Sequence, residues 1–254
     1  RPADVCAMAL LERHTQLELL RQRFESVATD GGACVVVSGE AGIGKTSLVR
    51  AFTQDLPAAT PVLACGCEAL FTPRPLGPLI DLAAHFPPSV EHALHQGHTY
   101  NGLFPMLLRC LGEGQRTRVL VIEDLHWADV GTIDFVRYLG RRIRDLPLLL
   151  VLSHRDETID ADHPLRHALG DLPATGTLRV PRSPLSREAV VQLTAGAPRS
   201  AAEVFDATAG NPFYVTELLA SPDMRIPHSV RDAVLATMAR LSPAARDLAR
   251  AVSL

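Results

Sequence analysis

Val35-Val36-Val37-Ser38-Gly39-Glu40-Ala41-Gly42-Ile43-Gly44-Lys45-Thr46-Ser47-Leu48-Val49 decides the reading of this chain. A short apolar run, 33–37, enters a loop carrying three glycines, and helical spacing follows from 46 to about 56. The pattern G-x-x-x-x-G-K-T stands after a strand and before a helix. In that setting its glycines let successive backbone N–H groups turn inward on a phosphate. The positive end of the following helix adds to the field. On this reading Gly39, Glu40, Ala41, Gly42, Ile43, Gly44, Lys45, Thr46 and Ser47 line an adenine nucleotide, ATP or ADP. Lys45 reaches the β- and γ-phosphates, and the Thr46 hydroxyl is a ligand of Mg²⁺. A glycine-rich turn without a ligand is the plainer alternative. Against it, Lys45 is the only lysine among 25 Lys and Arg residues. Where surface charge is supplied by arginine, one lysine marks a need for a compact ammonium on a flexible stem.

Val119-Leu120-Val121-Ile122-Glu123-Asp124 is the partner stretch. Four apolar residues ending in two acids describe a strand that presents carboxylates at the C-terminal edge of a sheet, where ligands bind in open α/β folds. Glu123 is placed to hold Mg²⁺, directly or through water, and Asp124 to polarise an attacking water. The usual order is Asp before Glu. Reversed, the longer Glu123 favours outer-sphere contact and the shorter Asp124 is a poorer base, so slow ATP hydrolysis is expected. A pair of acids capping a strand–loop junction is the alternative. Arg155, in Ser153-His154-Arg155-Asp156, has two readings as well. Its guanidinium either faces the γ-phosphate and reports its presence, or is solvated in a loop.

Outward from these motifs, strand candidates at 61–65, 118–122, 148–152 and 177–180 join 33–37. They alternate with helix candidates at 10–28, 46–56, 76–86, 99–112 and 129–144, the last opened by Asp129. Residues 66–78, with three prolines and two glycines, read as loop, and a polar segment separates the helices at 76–86 and 99–112. Strands that are apolar throughout imply a parallel sheet covered on both faces, an α/β doubly wound domain. From about 182 only helical patterns appear. Ser186 caps the first, Gly210-Asn211-Pro212 stops one helix and restarts another, and Ser242-Pro243 divides 228–254 into two. The expected division is 1–181, 182–227 and 228–254.

The totals exclude some classes. Of 254 residues, 47% are hydrophobic and 21% charged, with a net charge of −3, so the overall balance favours neither nucleic acid nor an anionic membrane. No apolar run approaches the ~18 residues of a membrane span, and no signal-peptide pattern opens the chain. The five cysteines are odd in number and irregular in spacing, which reads as free thiols in a cytoplasmic protein. Cys65-Gly66-Cys67 lacks the second pair a metal site needs. His92, His95 and His98 drift around a helix, and Gly97 interrupts them, so they read as a solvated segment. Arg137, Arg141, Arg142 and Arg144 form the one basic cluster, read as a solvated helix face, and Trp127 is expected beneath the Glu123–Asp124 loop. Arg1 in place of Met, and a helical pattern running to Leu254, suggest a piece of a longer chain.

Leu120-Val-Ile-Glu-Asp-Leu-His-Trp-Ala-Asp129, with Gly39 to Thr46 upstream and Gly210-Asn211-Pro212-Phe213-Tyr214 downstream, resembles the AAA-type ATPase module of signal-transduction ATPases with numerous domains, or STAND proteins. The nearest likeness is to the N-terminal ATPase regions of large LuxR-type bacterial transcriptional regulators. Leu11-Glu-Arg-His-Thr-Gln-Leu-Glu-Leu-Leu20 resembles their N-terminal motif, usually built on Gly-Arg-Glu. The resemblance implies a P-loop NTPase with a five-stranded parallel sheet and the motif strand central, then a small all-helical lid domain and the start of a winged-helix domain. It also implies that Pro212 packs near the adenine and that Arg155 senses the γ-phosphate. Partners would be an effector ligand or protein of unknown identity, a further copy in the ATP state, and DNA only through a C-terminal helix-turn-helix outside this chain. Three functions follow as expectations: a slowly hydrolysing switch, a turnover ATPase acting on DNA or protein, and a nucleotide-binding scaffold that never hydrolyses.

Overall fold

Successive residues of a strand point to opposite faces, so an uninterrupted apolar run demands cover on both sides. The computed structural model describes residues 11–221 apart from 71, 97–99 and 115, together with 231, 232, 234, 235, 238 and 243–252. In it β1 (Ala33–Ser38), β2 (Val62–Gly66), β3 (Arg118–Glu123), β4 (Leu148–His154) and β5 (Thr177–Pro181) form one parallel sheet in the order β2-β3-β4-β1-β5. All seven residues of β4 are buried, whereas the edge strands β2 and β5 are mostly half-exposed. The motif strand was expected to be central. β4 holds the middle instead, and β1 lies beside it, between β4 and β5.

Helices α1 (His14–Asp30) and α2 (Lys45–Gln54) cover one face. There Val35, Val37, Val121, Leu149 and Val151 pack with Leu20, Val27, Leu48, Val49 and Phe52. The other face carries α3 (Gly77–Asp81), α4 (Pro88–His95), α5 (Tyr100–Gly112), α6 (Val130–Gly140) and α7 (Pro164–Gly170). Val36, Leu120, Ile122, Leu150 and Leu152 meet Leu79, Val90, Leu94, Leu107, Phe135 and Leu165 on that side. Each fully buried Leu or Phe contributes roughly 1.5–3 kcal/mol of transfer free energy.

The polar segment between the helix candidates at 76–86 and 99–112 is not loop: it is the helix α4. Pro88 suits its first turn, where no N–H is needed, and Val90, Ala93 and Leu94 make a narrow buried stripe. Exposed His92 and His95 hide that stripe in the sequence, and His98 lies outside the described residues. The candidate at 76–86 is shorter than expected, α3 followed by a 3-10 turn at Ala83–His85. Asp129 does cap α6, accepting the Thr132 N–H at 3.1 Å, and a 3-10 turn at Ile143–Asp145 follows that helix. Helix α1 begins at His14, and Leu10 lies outside the described residues. Helix α7 was not marked in the sequence; it is seven residues long, shorter than a periodic pattern needs.

The chain divides into two compact units, Glu12–Ser183 and a second holding Pro184–Leu254 with Leu11. Within the second are α8 (Arg187–Leu193), α9 (Ala201–Thr208), α10 (Pro212–Ala220) and α11 (Pro243–Val252). Leu185, Ala189, Val190, Val204, Val215 and Leu218 form its core. Ser186 caps α8 by accepting the Ala189 N–H, and Ser200 and Glu203 form a reciprocal capping box on α9. Ala209 ends α9 in the left-handed region, Asn211 accepts the Phe213 N–H, and Pro212 opens α10. Residues 228–230 and Ser242, part of the expected winged helix, lie outside the described residues. No helix among the described residues is long and apolar enough to cross a membrane.

Candidate functional site

Strand β1 runs straight into the glycine loop. A side chain on Gly39 would sit 2.9 Å from the Arg182 Cβ and 3.0 Å from its carbonyl oxygen, and its φ of +143° suits glycine alone. Gly42 and Gly44 hold φ of +76° and +89°, which curls the loop before α2 begins at Lys45. Ile43 of the loop is fully buried. The first turn of α2 offers backbone N–H groups with no partner inside the helix, the usual seat of an anion.

Lys45 is 7% exposed, and its Nζ donates to the Gly39 carbonyl at 2.7 Å and the Glu40 carbonyl at 2.8 Å. Burial pushes the ammonium's pKa down; Glu157 is the foremost charge opposing that, and Arg155 adds to the fall. Next in the chain, the Thr46 hydroxyl donates to Glu123 Oε2 at 2.6 Å. This bond joins the end of the loop to the tip of β3 across 77 residues of sequence. Burial raises the Glu123 pKa, the Thr46 bond lowers it, and Asp124 raises it further against Arg50 and Lys45.

Asp124 leaves the strand in the left-handed region, φ +55°, a conformation that costs most residues about 1–2 kcal/mol and Asp less. Its N–H donates to Ser153 Oγ at 3.1 Å, so the end of β4 holds this turn in place. The Asp124 carboxylate is 37% exposed and lies 3.8 Å from His126 Nδ1. Trp127 is partly buried against the sheet's larger core cluster, and its ring is 5.0 Å from that of His126. Arg155 heads the 3-10 turn Asp156–Thr158 at the end of β4. Lys45, Thr46, Glu123, Asp124 and Arg155 thus gather at the C-terminal edge of the sheet. Pro212 belongs to the second unit.

Two residues of this edge were not singled out in the sequence. Ser153 braces Asp124, and Glu157 Oε1 accepts the Ala41 N–H of the loop at 2.9 Å. Position at or just beyond the C-terminal end of a buried strand, the edge where ligands bind, was the available signal. The basic cluster is engaged locally. Arg137 and Arg141 both pair with Asp171, the Arg142 guanidinium lies 3.8 Å over the Tyr138 ring, and Arg144 donates to the Asp30 carbonyl. Cys34, Cys65, Cys67 and Cys110 are free thiols.

Residues 9–151, more than half of the chain, match the family model described as AAA ATPase domain. An uncharacterised protein of Rhizobium meliloti is 25% identical over 66% of this chain, which spans 21% of that protein's length. Among solved structures, a STAND protein with a tetratricopeptide repeat sensor from Pyrococcus horikoshii is similar with a TM-score of 0.51 and 18% identity, covering 87% of this chain and 32% of that one. The Aeropyrum pernix ORC2 protein, solved as ADPNP and ADP complexes, gives 0.53 and 12%, covering 82% of this chain and 60% of that one. Those two likenesses concern the fold, a P-loop ATPase fold with a five-stranded parallel sheet. This chain belongs to the AAA ATPase domain family.

Proposed function

We propose that this chain is the ATP-binding, slowly hydrolysing switch module of a larger LuxR-type transcriptional regulator. The observation that carries the nucleotide site is the 2.6 Å hydrogen bond between Thr46 and Glu123. It brings a hydroxyl and a carboxylate together beside a glycine loop, and hard oxygen donors of that kind suit Mg²⁺. Thr46 and Glu123 would hold the metal, which when bound supplies positive charge to the β- and γ-phosphates. Lys45 lies against the start of the loop, where its ammonium can exchange carbonyl partners for phosphate oxygens. Gly39, Glu40, Ala41, Gly42, Ile43, Gly44 and Ser47 complete the cradle. Asp124 accepts the proton of the attacking water, and Arg155 answers to the γ-phosphate.

A switch needs a difference in affinity between two states and slow exit from each. The order Glu123–Asp124 supports slow exit, because the shorter acid stands where the base belongs. The STAND likeness, and the small share that this chain spans of the Rhizobium meliloti and Pyrococcus horikoshii proteins, support a module within a larger protein. Output then comes from a DNA-binding module outside the chain, and the trigger from an unidentified effector. The pairing of the basic cluster within the fold speaks against a DNA-driven engine. Phosphate release by the chain with ATP and Mg²⁺ is the test. The expected turnover is below about 1 s⁻¹, unaffected by duplex DNA, and falls by about a hundredfold or more in Asp124→Asn while ATP still binds. DNA-stimulated turnover would favour the engine, and a rate already nil in the parent chain would favour the scaffold.

A further inference from the structure

We propose that Glu157 sets the preference of this site between nucleoside diphosphate and triphosphate, an inference that rests on the P-loop reading above. Three features converge on it. Glu157 Oε1 accepts the N–H of Ala41, the third residue of the glycine loop, at 2.9 Å. The Glu40 carbonyl, one residue earlier, holds the Lys45 ammonium at 2.8 Å. Glu157 is also the foremost charge acting on that ammonium. The carboxylate therefore lies on the Lys45 side of the loop, the side that serves the terminal phosphates.

An anionic oxygen on a P-loop N–H has the chemistry of a phosphate oxygen. A diphosphate leaves room for it. A triphosphate brings further negative charge against the carboxylate, and Glu157 must give up the Ala41 N–H or the triphosphate binds at a penalty. Glu157 is able to leave, being exposed on the 3-10 turn Asp156–Thr158. Asp156 on the same turn also acts on the Lys45 ammonium, more weakly than Glu157, and its carboxylate lies 3.6 Å from His154 Nδ1. Arg155, two residues before Glu157, carries the opposite charge, and its field also reaches Lys45. One short turn thus presents a carboxylate that tolerates the diphosphate and a guanidinium that favours the triphosphate.

The test is equilibrium binding of ADP and of a non-hydrolysable ATP analogue, each with Mg²⁺, to the full chain by calorimetry. Glu157→Gln retains an oxygen that accepts the Ala41 N–H and removes only the charge, while Glu157→Ala removes both. The expected result is a rise of about tenfold in analogue affinity relative to ADP in both variants. A ratio that stays within about twofold, a shift toward ADP, or loss of both ligands in Glu157→Gln would overturn the proposal. Lys45→Ala in the same assay separates the two claims: if it binds both ligands as the parent does, the P-loop reading itself fails.

Discussion

Glu123 is pulled in two directions. Burial favours its neutral acid, while the Thr46 hydroxyl favours the carboxylate. With its pKa above the ordinary 4.5, acidification removes the charge earlier than from a free side chain. The gain in ATP affinity conferred by Mg²⁺ should therefore shrink as pH falls through the raised folded pKa of Glu123, at a higher pH than a free carboxylate would require. Glu123→Gln should lack most of that gain throughout, a loss of about 10- to 100-fold, measured by titration with and without Mg²⁺. An undiminished Mg²⁺ effect in the variant would remove Glu123 from the site. The stability consequence has the opposite sign. A buried carboxylate with a raised pKa costs folding free energy once it is ionised, so Glu123→Gln should melt higher than the parent near neutrality. That difference should fade as pH drops through the folded pKa. Residues of this kind were legible unevenly. Lys45 stood out as the sole lysine in a fixed motif, whereas the bond from Ala41 to Glu157 joins positions 116 apart and leaves no local pattern.

Asp129 shows how elements are tied together. Its carboxylate accepts the Thr132 N–H and hydroxyl at the start of α6 and also the Leu76 N–H at 3.1 Å, where the chain turns into α3 with a left-handed φ of +56° at Leu76. Asp129→Ala removes a cap and the anchor of a strained turn together, and should cost about 2 kcal/mol. Urea unfolding followed at Trp127, the one tryptophan, reads that loss. An unchanged midpoint would mean that packing alone sets both helix starts. The cap was legible because Asp before an apolar-periodic run is a local signal. Its second bond was not, because Leu76 is 53 residues away. All five strands were legible within two residues of their ends, since continuous apolar runs between glycines and prolines have few other uses. Helices α4 and α7 escaped because each has under nine residues, too few for a 3.6-residue period to show.

At the scale of the molecule, two faces of one sheet are closed by helices, and the proposed site lies at the edge where β1, β3 and β4 end. Strand order decides that edge. With β4 standing between β3 and β1, the Asp124 N–H bonds Ser153 of β4, and Glu123 is bonded to Thr46, which follows β1 and its loop. The sequence declared both motifs but not which strand would stand between them, since register and order are settled by long-range packing. On the proposed reading, this edge binds adenine nucleotide through the glycine loop. Its most direct test is the nucleotide released by denaturing the purified chain, with Lys45→Ala alongside and ATP·Mg²⁺ titrated into both. The expected result is near-stoichiometric ADP, or saturable ATP binding if none co-purifies, weakened in Lys45→Ala by about a hundredfold or more. A parent chain that carries no nucleotide and fails to bind ATP·Mg²⁺ even at about millimolar concentration would contradict it.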